Sequence, residues 1–144
     1  NNYVVAVKHR NHLGISSTPA TPISLGLSNS TFDFTNTANT AAIYGVANTN
    51  YTQINSKNVL WAGNGRNNST TSWSGLNNDK DYLYITVLSS SSGTPLTGYS
   101  AGDFNLNRTS SWSGLNNDKD FLYISVLGSN SGAGGTKTQA IPSN

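Results

Sequence analysis

Asp103, Asn105 and Asn107 place three oxygen-bearing side chains at alternate positions. A tight loop folds such oxygens inward around a hard cation, and calcium takes about six to eight oxygen ligands, with carboxylates supplying the charge. Asp118 and Asp120 lie further along, where they could close the shell. The same residue types also serve as ordinary turn and cap residues, so the spacing leaves both readings open.

These residues sit in a duplicated segment. Ser72–Leu88 returns almost unchanged as Ser111–Leu127, with Trp73 and Trp112 standing 39 positions apart. Two copies are too few for a solenoid, which points to a paired device inside one domain. Of the six acidic residues, Asp79, Asp81, Asp103, Asp118 and Asp120 all fall in the repeats once their preceding loops are included (63–88 and 102–127), and only Asp33 lies elsewhere. In the first copy the matching loop positions are Asn64, Arg66 and Asn68, followed by Asp79 and Asp81.

The 144 residues suit a single domain with a real core. With 10% charged residues and a net charge of +2, the eight basic side chains form no run that would suit nucleic acid or an acidic membrane. The absence of Cys excludes disulfides, thiolate metal sites and Cys nucleophiles. No apolar run approaches the ~20 residues of a membrane-spanning helix. No leader-like segment opens the chain, so a secreted protein is expected here in mature form. Ser, Thr and Asn make up roughly two fifths of the chain, a bias expected of a secreted polar surface.

Short strand candidates punctuated by turns predict a mainly β protein with a β-sandwich-like domain. They are Tyr3–Lys8, Ile23–Leu27, Thr31–Thr35, Ala41–Val46, Tyr51–Ile54 and Asn58–Trp61. The expected layout is a β-rich part over 1–62, loop repeats over 63–88 and 102–127, and a tail over 128–144 that pairs weakly at a sheet edge. The apolar runs Tyr82–Leu88 and Phe121–Leu127 fit strand and helix periods equally. A helix would put Asp81 near its N-terminus, where a carboxylate suits exposed N–H groups.

The ordered motifs carry a family resemblance. His9-Arg10-Asn11-His12-Leu13, Phe32-Asp33-Phe34, Tyr44-Gly45, Trp61-Ala62-Gly63, Asn77-Asn78-Asp79-Lys80-Asp81 and Asn116-Asn117-Asp118-Lys119-Asp120 follow in sequence. In this the chain resembles a module near the C-termini of secreted surface proteins of Bacteroidota, with loops like those of dockerins and thrombospondin type 3 repeats. The resemblance implies two repeated calcium-type loops, each followed by a short helix, with calcium held by Asp103, Asn105, Asn107, Asp118 and Asp120. Asn107 and Arg108 depart from the Asp-Gly of the pattern, and the first copy has no carboxylate at its loop start. Arg66 there puts a cation where a ligand oxygen belongs, a repulsion of about 4 kcal/mol at ~4 Å with an effective dielectric of ~20. Asn64, Asn68, Asp79 and Asp81 are therefore expected to bind calcium weakly or not at all. Arg66 is expected either to replace the ion by pairing with Asp79 or Asp81, or to point into solvent.

Glycosylation motifs begin at Asn29, Asn50, Asn67, Asn68 and Asn107. His9 and His12 lack a third zinc ligand, and no nucleophile–base arrangement is recognisable, so no enzyme is expected. Trp61, Trp73 and Trp112 could stack on sugars, but the equivalent places of Trp73 and Trp112 favour packing against the loops. The expected function is a calcium-stabilised, glycosylated extracellular structural subunit that forms a homopolymeric bacterial surface fibre by head-to-tail contact. Tyr3, Val4, Val5, Ala6 and Val7 would be the strand donated to a neighbour. The alternative is an adhesin or carbohydrate-binding module of a larger surface protein.

Overall fold

A computed structural model describes residues 1–26 and 31–142. The described residues are mostly short strands and loops with a few helical turns. Each ladder is a two-stranded antiparallel pair. Strand β1 (Asn2–Tyr3) pairs with β4 (Ile23–Ser24), and β2 (Ala6–Val7) pairs with β3 (Ile15–Ser16). The expected continuous strand Tyr3–Val7 is thus broken into two pieces with different partners, both inside the chain. Val5 between them is tied to Ser17, whose N–H donates to the Val5 carbonyl at 2.9 Å.

Strands β5 (Thr52–Ile54) and β6 (Lys57–Val59) form a hairpin. Its two-residue turn, Asn55-Ser56, has φ of 50° and 59°. That left-handed pair matches the twist of the flanking strands, and Asn is suited to it. Thr31–Thr35 is not a strand. Asp33 Oδ1 accepts from the Thr35 N–H at 2.9 Å and from its hydroxyl at 2.7 Å, which bends the chain into a turn. Phe32 and Phe34 consequently meet edge to face, with centroids 4.6 Å apart. Ala41–Val46 is also not a strand: Thr37–Ala42 is a 3₁₀ helix capped by Asn36, and Ile43 makes one bridge to Ser17.

Both post-loop runs are helical. Helices α1 (Asp79–Asp81) and α2 (Asp118–Asp120) widen into π-helical turns, Tyr82–Val87 and Phe121–Val126. The Leu88 N–H reaches back to the Leu83 carbonyl at 3.0 Å, and Leu127 does the same to Leu122. Strand β7 (Thr70–Thr71) pairs with β10 (Lys137–Thr138), so the tail does close a sheet edge, and β8 (Leu96–Thr97) pairs with β9 (Thr109–Ser110).

The larger apolar cluster lies between the two repeats. Ala62, Leu83, Leu88, Phe104, Leu122, Val126 and Leu127 form it, with Trp73 and Trp112 against its sides. A smaller cluster of Ile15, Ile43 and Tyr51 serves the N-terminal part. The packing between repeats is reciprocal. Gly63 and Gly102 hold equivalent positions, as do Leu83 and Leu122. A Cβ on Gly102 would lie 2.7 Å from Leu83, and one on Gly63 would lie 2.6 Å from Leu122. Trp73 stacks on Tyr123, and Trp112 on Tyr84, each at 4.6 Å and 44°.

Candidate functional site

Each helix start is built by Asn. Asn78 Oδ1 accepts from the Asp81 N–H, and Asn117 Oδ1 from the Asp120 N–H, both at 2.8 Å. Their amides donate back to Asp81 and Asp120 Oδ2 and to the carbonyls of Gly75 and Gly114. The cap therefore fixes both the helix and the turn before it.

Behind these caps sit two of the three buried carboxylates, Asp79 and Asp118. Asp118 Oδ1 accepts from the N–H groups of Phe104, at 2.7 Å, and Asn105, at 3.3 Å, while Oδ2 accepts from Ser111 at 2.9 Å. Asp79 repeats the pattern with Arg66 at 3.4 Å and Ser72 at 2.9 Å. Each carboxylate thus staples a loop start to the helix that follows it. Burial outweighs these donors and pushes Asp79 up to about 7 and Asp118 up to about 6. For Asp118 the nearby charge of Asp103 adds to the rise.

Asp103 differs from every other acidic residue. It is fully buried, and Oδ2 accepts from the Arg108 N–H at 3.1 Å, but Oδ1 has no partner. Asn105 Oδ1 accepts from the Asn107 N–H at 3.1 Å, and Asn107 Oδ1 from the Thr109 N–H at 2.9 Å. Leu106 and Arg108 take φ of 60° and 71°. Arg108, sixth from Asp103, makes the sharp turn for which calcium loops use Gly. Of the five residues expected to form one shell, the structure gathers Asp103, Asn105 and Asn107 on one turn. Asp118 stands beside them with its oxygens held by backbone N–H groups. Asp120 turns away to Lys119, at 2.6 Å, and Asn117. Among the described residues no three Asp, Glu or His side chains converge as a metal site. At Asp103 one carboxylate oxygen lacks a hydrogen-bond partner, while the side-chain oxygens of Asn105 and Asn107 accept from backbone N–H groups.

The first loop is closed on itself. Asn64 Oδ1 accepts from the Asn68 N–H at 3.0 Å, and its amide donates to the Asn68 carbonyl at 2.7 Å. Asn68 Oδ1 accepts from the Thr70 N–H. Ser69, at the place of Arg108, is not among the described residues with positive φ. The Arg66 guanidinium does not pair with Asp79 or Asp81. It donates to Asn77 Oδ1 at 3.1 Å and lies over the Tyr82 ring at 5.5 Å, while its backbone N–H is what reaches Asp79. Asp81 is paired instead with Lys80 at 3.0 Å.

Asn11 is a residue that sequence reasoning placed in a motif but gave no role. It is fully buried, its amide donates to the Asp103 carbonyl at 2.5 Å, and its carbonyl accepts from the Asn64 N–H at 3.0 Å. It thereby clamps the first residue of both loops. His9 and His12 approach with Nδ1 atoms 2.9 Å apart, and burial, followed by His9 and Arg10, lowers His12 to about 4. Among the glycosylation candidates, Asn29 lies outside the described residues. The Asn50 amide is held by the Thr138 carbonyl at 2.7 Å, and Asn68 and Asn107 spend their oxygens on turns, whereas Asn67 is exposed at φ 53°. The chain matches no family model, no curated protein and no solved structure.

Proposed function

We propose that the chain is a non-catalytic structural subunit of an extracellular bacterial surface fibre, a sandwich-like β part carrying two calcium-type loops, with calcium held at the second. The buried Asp103 carboxylate with one unpartnered oxygen is the observation that carries this reading. A lone buried charge is costly unless a cation meets it, and here the turn that follows supplies Asn105 and Asn107 as further oxygen ligands. With one carboxylate oxygen left without a hydrogen-bond partner, the site would be of the weak, extracellular class, with a dissociation constant of about 10⁻⁴ to 10⁻³ M. The first loop, sealed by Asn64 and Asn68, binds no ion in this scheme.

Glycans would be carried on exposed polar turns, with Asn67 the best-placed acceptor among the described candidates. The stacking of Trp73 and Trp112 on Tyr123 and Tyr84 leaves these rings to packing, which favours the structural reading over a sugar-binding module built on them. Because Tyr3–Val7 is already engaged within its own chain, the head-to-tail contact is assigned to its exposed side chains Tyr3, Val4 and Val7.

The test is thermal unfolding in calcium and in chelator, with calorimetric titration. Calcium at about ten times the dissociation constant should stabilise the wild type by roughly 1.4 kcal/mol, and Asp103→Ala should lose that gain. Negative-stain imaging under the same two conditions reads assembly. A wild type with no calcium-dependent stabilisation would overturn the metal site, and particles that stay single at high concentration would overturn the fibre.

A further inference from the structure

The duplication gives the molecule two equivalent surface grooves that differ chiefly in what fills them. In the first copy the groove lies among Arg66, Asn77, Asp81, Tyr82 and Ile85 and measures about 240 Å³. In the second it lies among Asn105, Asn116, Asp120, Phe121 and Ile124, with Leu115 as an added wall, and measures about 520 Å³. Position for position these are the same groove. The first is occupied by the chain's own Arg66, whose guanidinium donates to Asn77 Oδ1 at 3.1 Å and lies 5.5 Å from the centre of the Tyr82 ring. In the second, Asn105 replaces that arginine, and its shorter amide folds back onto the Asn116 carbonyl at 2.7 Å. Among the described residues the Asn116 side chain makes no hydrogen bond, and the Phe121 ring, in Tyr82's place, has no cation over it.

We propose that the second groove is a docking site for an arginine side chain presented by a partner polypeptide, next to an apolar residue. The first copy shows what this shape accepts: a planar guanidinium between an amide oxygen and an aromatic face, both of which the second copy keeps. Asp120 lines the groove with its carboxylate already held by Lys119 and Asn117, so recognition rests on the Asn116 amide oxygen and the Phe121 face. Leu115 is 98% exposed and Ile124 59% exposed. These apolar walls would cover a neighbouring apolar side chain of the partner. The groove shares Asn105 and Asn107 with the proposed calcium turn, but its guanidinium-binding groups are Asn116 and Phe121, which need no ion at Asp103.

The test uses N-acetyl-arginine amide as probe, with the lysine and citrulline analogues as controls, followed by NMR of the Asn116 side-chain amide and the Phe121 ring. The arginine probe should shift both signals saturably, and the lysine and citrulline probes should bind at least about tenfold more weakly. Arg66→Ala should open the first groove and add a second set of shifts at Asn77 and Tyr82. Asn105→Arg should fill the second groove from within and weaken the probe there by about tenfold or more. No saturable shift in the wild type, equal binding of lysine, or a folded Arg66→Ala variant that gains no second site would each overturn the proposal. Because Asn105 is bonded to Asn116, the titration is run both in calcium and in chelator, and saturable arginine binding in chelator separates this proposal from the calcium reading.

Discussion

The reciprocal contact of each glycine with the other repeat's leucine makes a stability prediction with its own control. A methyl group added at Gly102 would sit 2.7 Å from Leu83 Cδ1 and 2.9 Å from Val87 Cγ1. Overpacking of this kind costs about 1–3 kcal/mol. At Gly63 the new Cβ would meet Leu122 Cδ1 at 2.6 Å and Thr71 at 3.0 Å, and φ is +90°. That conformation adds roughly 1–2 kcal/mol for a non-glycine residue, so Gly63→Ala should cost more than Gly102→Ala by about that amount. Leu83→Ala alone should cost about 2–5 kcal/mol through the cavity it leaves. In Gly102→Ala the same truncation makes room for the methyl group, so the double variant should be more stable than the sum of the single losses by about 1 kcal/mol or more. Gly63→Ala with Leu83→Ala is the control, because Gly63 meets Leu122 and Thr71 instead; that pair should be additive to within about 0.5 kcal/mol. Urea unfolding of the three single and two double variants reads all of this. Additivity in the Gly102–Leu83 pair, or coupling of equal size in the control, would show that the repeats do not interlock in this way.

Stability should also depend on pH through Asp79. Its folded value, about 7, lies above the ordinary 3.8 because of burial, so the ionised form burdens the fold above pH 7. As pH falls from about 7 towards 4 the folded state takes up a proton first, and stability should rise by up to about 1.4 kcal/mol per pH unit; urea midpoints that fall steadily over that range, or a slope unchanged in Asp79→Asn, would contradict the burial argument. Asn78→Ala and Asn117→Ala should each lose about 0.5–2 kcal/mol by thermal unfolding, since each removes a cap and a tether to the preceding turn. Trp112→Ala with Tyr84→Ala should show a coupling of about 0.5–1.5 kcal/mol in a double-mutant cycle, matched by Trp73 with Tyr123 because the two stacks share one geometry.

The duplication is legible in the residues, whereas the apolar runs after each loop fit strand and helix equally and only the family resemblance implies helices. The structure makes them helical and uses the second Asn of Asn-Asn-Asp-Lys-Asp as the cap. What the residues could not show was contact at a distance. No local period records the π-helical turns or the packing of Leu83 and Leu122 on glycines of the other copy. Alternation at Phe32 and Phe34 suggested a strand, yet Asp33 bonded to Thr35 two residues on and bent the chain. At the candidate site, charge suggested that Arg66 would seek Asp79 or Asp81. Asp79 is instead met by backbone N–H groups, and Asp81 by its neighbour Lys80, which leaves the guanidinium to Asn77 and Tyr82.

The divergence of the two loops follows from this division of labour. Leu83, Leu122 and the Trp–Tyr stacks hold the repeats together on their inner faces, so the outer turns are free to differ without disturbing the core. In the first, Asn64 is neutral and satisfies itself on Asn68, and Arg66 covers the adjoining groove. In the second, the equivalent residue is Asp103, as buried as Asn64 but charged and one partner short. Asn64 shows that a neutral amide serves this position structurally, so the carboxylate is not needed to make the turn. A buried carboxylate that the fold does not require is what the proposed calcium would meet. An Asp103→Asn variant tests this step directly. It should match or exceed the wild type in stability in chelator and fall below it in calcium, and the reverse order would remove the reason for placing an ion there.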